Sequence, residues 1–292
     1  MKHRLSLLFL AIIFLAVKLN AQTSGDAILF HFTSPYTSFP DAERNNGHVY
    51  DSVLYDAAMH YSDSSVLVVI PKNLKPGKTI DIVFWFHGWR NNIDSAAIRY
   101  DLVNQFIASK RNAVLVLAET AKNSPDSYGG KLEKPAVFRN LVNDILMKLK
   151  EKKYVSKKCT TGDIVLAGHS GAYRVIAYIL QNGGMPVNEV GLFDALYSET
   201  DKFMSWIKGD MKHRFINWYT NVGGGTDEVS KDIMKQLQKE NIHFTFAEED
   251  SLTAQILQTN RIVFVHSNRE HNDIINKPDN FHLLLQAGTL KK

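Results

Sequence analysis

Among 292 residues there is a single cysteine, Cys159. One thiol closes no internal disulfide and builds neither a zinc–thiolate site nor a dithiol redox pair, so stability has to come from a core. Proline is sparse, with 8 residues, and no Pro/Ser-rich linker, internal repeat or low-complexity tract divides the chain. No basic block is present to suggest a nucleic-acid partner. The cluster LKEKKYVSKK, residues 149–158, reads as a solvated helix end and loop. Beyond the N-terminal stretch, no run is long and apolar enough to cross a bilayer.

That N-terminal stretch, MKHRLSLLFLAIIFLAVKLNAQ, has basic Lys2 and Arg4, an apolar run from Leu5 to Val17, and the small residue Ala21 before Gln22. The pattern predicts a secretory signal peptide over residues 1–21, with a retained N-terminal anchor as the alternative. The lack of a cysteine near the cleavage point argues against a lipid anchor. Residues 22–292 are then one domain, periplasmic or secreted, with no stable membrane insertion once the leader is removed. Loss of Lys2, Arg4 and Lys18 with the leader takes 34 Lys+Arg to 31 against 30 Asp+Glu, a net charge of +1. The high pI of the whole chain therefore says little about partners. With 45% apolar residues, the mature length supplies one large core.

What is present is an alternation. Short β-branched runs (AILFHF, SSVLVVI, DIVFWFHG, NAVLVLAE, DIVLAGHS, EVGLFDAL, RFINWYTN, RIVFVHS) are separated, after the first three, mostly by helical stretches. These lie near 95–108, 135–152, from Ala172, near 199–207, near 226–240 and in FHLLLQAG. Such a pattern predicts a mostly parallel sheet covered on both faces, with the first strands as an antiparallel edge. In such sheets the site lies at the carboxyl ends of the strands.

Within DIVLAGHSGAYRVIAYIL an apolar strand ends at Gly168-His169-Ser170-Gly171 and a helix opens at once. Small residues around a serine suit a sharp strand-to-helix turn that lifts the hydroxyl clear of the sheet. The same turn aims the N–H groups of the following helix at any negative charge that develops beside that hydroxyl. Upstream, DIVFWFHGWRNN is a second apolar strand, ending in His87-Gly88-Trp89. These two motifs and the C-terminal histidine region resemble the α/β-hydrolase superfamily of serine hydrolases, of the esterase and lipase kind. The resemblance covers nearly all of the mature chain in element order, with residue-level likeness confined to those places. It implies a mostly parallel central sheet of about eight strands with helices on both faces, and a triad in the order Ser, Asp or Glu, His. It also implies an oxyanion hole from the N–H of Gly171 and that of Trp89 or Arg90, with His87 holding the loop.

A serine needs a base, and the base a carboxylate. His271, in the polar loop SNREHNDII past the last strand, is the expected base, and His266 its main rival. Asp194 in EVGLFDALY interrupts an apolar run, where a carboxylate is costly without a partner. It is preferred as the acid, and Asp227 is the alternative. Asp227 is also explained as a first-turn residue of a helix capped by Thr226. Trp85, Tyr173 and Tyr197 are expected, with Trp89, to line an apolar or aromatic pocket, with plain core packing as the alternative for aromatics near strand ends. Arg174 is expected in an ion pair, or else at a substrate carboxylate, and the Gly/Pro-bearing loop from Ser124 to Pro135 at the rim.

The expected function is an exported serine hydrolase, cleaving an ester in preference to an amide or peptide bond through an acyl-enzyme on Ser170. The substrate is a small-molecule or polymer ester, and no cofactor or metal is implied. Two alternatives stand beside it: a catalytically silent envelope binding module on a hydrolase scaffold, and a metal-dependent hydrolase using His266, Glu270 and His271.

Overall fold

The computed structural model describes residues 22–222 and 225–292, so the leader expected over 1–21 lies outside the described residues. The chain opens with β1 (Gln22–Ser24) and β2 (Ala27–Thr33). A small hairpin follows, β3 (His48–Tyr50) and β4 (Val53–Tyr55), then the short helix α1 (Ala57–His60) and β5 (Ser65–Pro71). From there strands and helices alternate through β6 (Thr79–Phe86), α2 (Ile93–Arg99), α3 (Leu102–Ala108), β7 (Ala113–Ala118), α4 (Val137–Glu151), β8 (Thr160–His169) and α5 (Tyr173–Asn182). The second half runs β9 (Glu189–Phe193), α6 (Thr200–Gly209), β10 (Arg214–Thr220), α7 (Thr226–Lys239), β11 (Thr245–Glu248), α8 (Ala254–Thr259), β12 (Ile262–Ser267) and α9 (Asn280–Ala287).

The main sheet has ten strands in the order β1-β2-β5-β7-β6-β8-β9-β10-β12-β11. Strands from β7 to β11 in that order pair parallel, and β1, β2 and β5 form the antiparallel edge expected from their short connections. Short β1 and β11, one at each rim, take the count above the eight or so expected. Alternation divides the core: Ile82, Phe84 and Phe86 of β6 face α4 to α7, whereas Val83 and Trp85 face α2, α3, α8 and α9. In α4, Phe138, Leu141, Val142, Ile145, Leu146 and Leu149 are buried at helical spacing. Each such side chain contributes roughly 1.5–3 kcal/mol when fully buried. Lys148 and Lys150 sit in its last turn, where the dipole favours them.

The helix expected over 95–108 is two helices. The chain breaks at Tyr100 and Asp101, the latter in the left-handed region (φ +50°), and Tyr100 turns inward, 1% exposed. The hairpin of β3 and β4, the strand β11 and the helix α8 were not anticipated from the sequence pattern.

Candidate active site

The strands β6, β8, β9 and β12 deliver their ends to one edge of the sheet. At the end of β8 Ser170 takes φ +55°, a left-handed conformation that side chains rarely adopt, and the chain enters a 3-10 turn leading into α5. Gly88, at the end of β6, packs directly on this turn. A Cβ there would lie 2.6 Å from Ser170 Cβ and 2.9 Å from the His169 carbonyl oxygen, so only glycine allows the two loops to meet. The amide of Arg90 donates to the Ser124 carbonyl (2.9 Å). That of Trp89 has no hydrogen-bond partner among the described residues.

The loop carrying Trp89 is held from beneath. The His87 ring is buried, with Nδ1 2.8 Å from the Gly88 carbonyl oxygen and Nε2 2.6 Å from Glu119 Oε1. Glu119 Oε2 in turn accepts the Ile93 N–H at the start of α2 (3.3 Å). Glu119, at the end of β7, is a site residue that the sequence pattern does not single out. Its only signal was a carboxylate closing an apolar strand.

Asp194 follows β9 at φ +45° and is 1% exposed. Its Oδ2 contacts His271 Nδ1. Its Oδ1 accepts the Thr226 hydroxyl and, at 3.4 Å, the Thr220 amide. Asp227 is instead paired with Lys231 four residues on (2.8 Å), so the alternative acid faces along its own helix and not toward His271. Thr226 is not the helix cap expected: Gly225 occupies that position without a side-chain bond, and the fully buried Thr226 hydroxyl is directed at Asp194.

His271 sits in the loop after β12. His169, the residue before Ser170, points its Nε2 at the His271 carbonyl oxygen (2.9 Å), and the two rings lie 4.3 Å apart between centroids. Burial, and then the neighbouring His271, hold the His169 imidazole neutral, well below its ordinary pKa. The Nε2–H tautomer therefore donates to that carbonyl, and Nδ1 faces the Tyr100 hydroxyl at 3.3 Å. Asn272 Oδ1 lies 3.0 Å from the same hydroxyl, so the single Tyr100 proton goes to one of these two acceptors at a time. Thr220 Oγ1 reinforces the loop by donating to the Arg269 carbonyl (2.9 Å).

Ser170, Gly171, Trp89, Ser127, Tyr173 and Tyr197 line a cavity of about 230 Å³. The Trp89 indole N–H donates to Ser127 Oγ (2.7 Å) across it. The Tyr197 ring meets the His271 ring edge-on, 6.5 Å between centroids. Burial and then the Asp194 charge raise the Tyr197 pKa, while the Ser170 hydroxyl, in the same cavity, pulls the other way. Among the described residues no hydrogen bond joins Ser170 to the His271 imidazole; such bonds commonly tighten only once substrate is bound.

Trp85 requires a correction. It is 1% exposed inside β6, packed on Tyr100, Phe193 and Phe281, and does not line the cavity. Strand alternation points it into the core between Phe84 and Phe86, which face the other way. His266 pairs with Glu248 (2.8 Å), apart from His271 on Asp194. No group of three His, Cys, Asp or Glu suited to a metal forms among the described residues, so the ligand set of the metal-dependent alternative is not brought together.

Arg174 grips Glu133 with two bonds (2.7 and 3.0 Å). Glu133 also accepts the Gly129 N–H (2.7 Å), Tyr128 reaches Asp41 (3.0 Å), and Arg44 reaches Asp126 (2.7 Å). The rim from Ser124 to Pro135 is thereby tied at several points. A larger depression, about 800 Å³, opens elsewhere among Lys208, Glu240, His243 and Arg261. Lys208 and Glu240 there pair with each other (3.0 Å).

Sheet order, the turn at Ser170 and the covering helices define an α/β-hydrolase fold. Solved structures similar to the chain agree. One is the substrate-bound fluorophosphonate-binding serine hydrolase F of Staphylococcus aureus, with a TM-score of 0.53 and 11% identity over 91% of this chain and 100% of that one. Others are a ferulic acid esterase (0.50, 12%, 77% and 92%) and an S-formylglutathione hydrolase from Staphylococcus aureus (0.50, 10%, 90% and 98%). At such identities the likeness is one of fold. No protein-family model and no curated protein matches the chain.

Proposed function

We propose that the chain is an exported serine hydrolase that cleaves carboxylic esters, in preference to amides or peptides, through an acyl-enzyme. In this reading His271 takes the Ser170 proton as the hydroxyl oxygen attacks the acyl carbonyl. Asp194 holds the imidazole and stabilises its cationic form, and the N–H groups of Gly171 and Trp89 receive the oxyanion. His271 returns the proton to the departing alcohol. A water, deprotonated by the same imidazole, then releases the acid and restores Ser170.

One observation carries the reading: a buried carboxylate contacting the His271 ring, beside a serine on a strained strand-to-helix turn. Low-identity neighbours described as serine hydrolases and esterases support it by fold. The test is labelling with a fluorophosphonate probe and turnover of p-nitrophenyl acetate. Wild type is expected to do both, and Ser170→Ala neither. Turnover that survives in Ser170→Ala overturns the assignment.

The silent binding module has one observation in its favour: among the described residues no hydrogen bond joins Ser170 to the His271 ring, whose Nδ1 contacts Asp194. Folded protein that neither labels nor turns over p-nitrophenyl acetate favours that alternative. For export, N-terminal sequencing of the processed protein is expected to begin at Gln22. Cleavage there leaves β1, paired with β2 from Gln22 onward, intact. No helix among the described residues is long and apolar enough to cross a membrane.

A further inference from the structure

The segment between β2 and β5 carries an apolar surface that the triad does not use. Eleven large apolar side chains are exposed among the described residues. Six of them lie between Tyr36 and Met59, and a seventh is Trp89. The exposed apolar surface is therefore concentrated around one segment and the cavity residue it meets.

The hairpin of β3 and β4 supplies four of the seven. Its turn, Asp51 and Ser52, is built from two left-handed residues (φ +49° and +62°), the geometry that suits a tight two-residue connection. Register sets the faces. Tyr50 opposes Val53, and Val49 opposes Leu54; directly opposed residues share a face, so the two pairs point in opposite directions. The Tyr50 ring meets the Trp89 ring edge-on, 5.2 Å between centroids and 74° between planes. Trp89, 42% exposed, lines the cavity that holds Ser170. The Tyr50–Val53 face thus continues the cavity wall outward.

The cavity itself is small, about 230 Å³, below the range of roughly 300–1,000 Å³ usual for small-molecule sites. A long-chain ester has to extend beyond it. The shelf itself is apolar, and the charges near it are of both signs, Asp51 and Asp56 at the hairpin against Arg90 beside Trp89, so it favours an uncharged extension over one of either sign. We infer that Trp89, Tyr50 and Val53 form an outer subsite for an uncharged apolar chain of the ester, a medium-length alkyl group lying along the hairpin. The inference rests on the serine-hydrolase reading and adds the substrate class.

The test compares kcat/KM for p-nitrophenyl decanoate with that for p-nitrophenyl acetate. The decanoate-to-acetate ratio is expected to fall about tenfold in Tyr50→Ser and in Val53→Ser, the effect of losing contact with roughly two methylenes. Val49→Ser and Leu54→Ser, on the opposite face, serve as controls and are expected to leave the ratio unchanged. Running decyl acetate in the same way tells an acyl chain from an alcohol chain; a fall in either series supports the subsite. An unchanged ratio in both series overturns it, and so does an equal fall in the controls.

If wild type hydrolyses no ester, binding of decanol followed by tryptophan fluorescence still decides. Affinity about tenfold weaker in Val53→Ser than in Leu54→Ser supports the subsite although the hydrolase reading has failed, whereas equal affinities overturn it.

Discussion

Thr226 is the residue whose role differs most from its local signal. A threonine at a helix start ordinarily caps the helix, yet here its hydroxyl is donated to Asp194, leaving Gly225 at the capping position. In Thr226→Val, Oδ1 of that carboxylate keeps only the Thr220 amide, at 3.4 Å. The variant is expected to lose about 1.5–3 kcal/mol of stability in urea and about tenfold or more in kcat/KM as the imidazole loses its fixed partner. Thr226→Ser should restore most of both; a serine variant as impaired as the valine one would show that packing, not the hydroxyl, matters. His169 gives a second prediction, with a defined sign. Its pKa is depressed in the folded chain and near 6.5 when unfolded. As pH falls through that unfolded value, the unfolded chain takes up a proton that the native one refuses. Stability present above about pH 6.5 is therefore lost on acidification, at up to about 1.4 kcal/mol per pH unit. His169→Gln keeps a donor for the His271 carbonyl and lacks this titration. Urea midpoints taken between about pH 7.5 and 5.5 should show its deficit relative to wild type shrinking, whereas a constant gap would exclude the mechanism.

At the scale of elements, the rim from Ser124 to Pro135 and the helix α5 behave as one piece because Arg174 joins them. Its planar fork meets Glu133 at two points and its guanidinium lies over the Tyr128 and Tyr178 rings, 5.2 and 5.6 Å from their centroids. Lysine supplies the charge but neither the fork nor the stacking. Arg174→Lys is expected to cost only about 1 kcal/mol, since the pair is partly open to solvent, but to speed proteolytic cleavage within residues 122–133 several-fold. Equal cleavage rates would mean that the other ties suffice. Elements differ in how far the sequence announces them. The strand-turn-helix at Ser170 is legible because a tight bend admits only small neighbours, and Asp194 because a lone carboxylate in an apolar run needs a partner. The hairpin of β3 and β4 is not, since its large apolar residues face outward on both sides and give no buried alternation. The break between α2 and α3 is equally silent, because it serves a contact from Tyr100 to His169, 69 residues away. Trp85 differs for another reason: alternation along β6, and not nearness to the strand end, sets which face its side chain takes.

Over the whole molecule, the three proposed catalytic groups come from β8, β9 and the loop after β12, and the sheet order sets β8, β9, β10 and β12 side by side. Both cores, one on each face, continue well beyond these four strands. Registry among neighbouring strand ends therefore governs chemistry, while the bulk of the apolar interior governs survival of the fold. Such an arrangement acts as a strain gauge: a small splay between β9 and β10 would pull the Thr220 and Thr226 donors away from Asp194 and silence turnover, with the helices still in place. In rising urea, fluorophosphonate labelling should accordingly fade before far-UV ellipticity does, and superimposable curves would show that the site and the scaffold come apart in a single event.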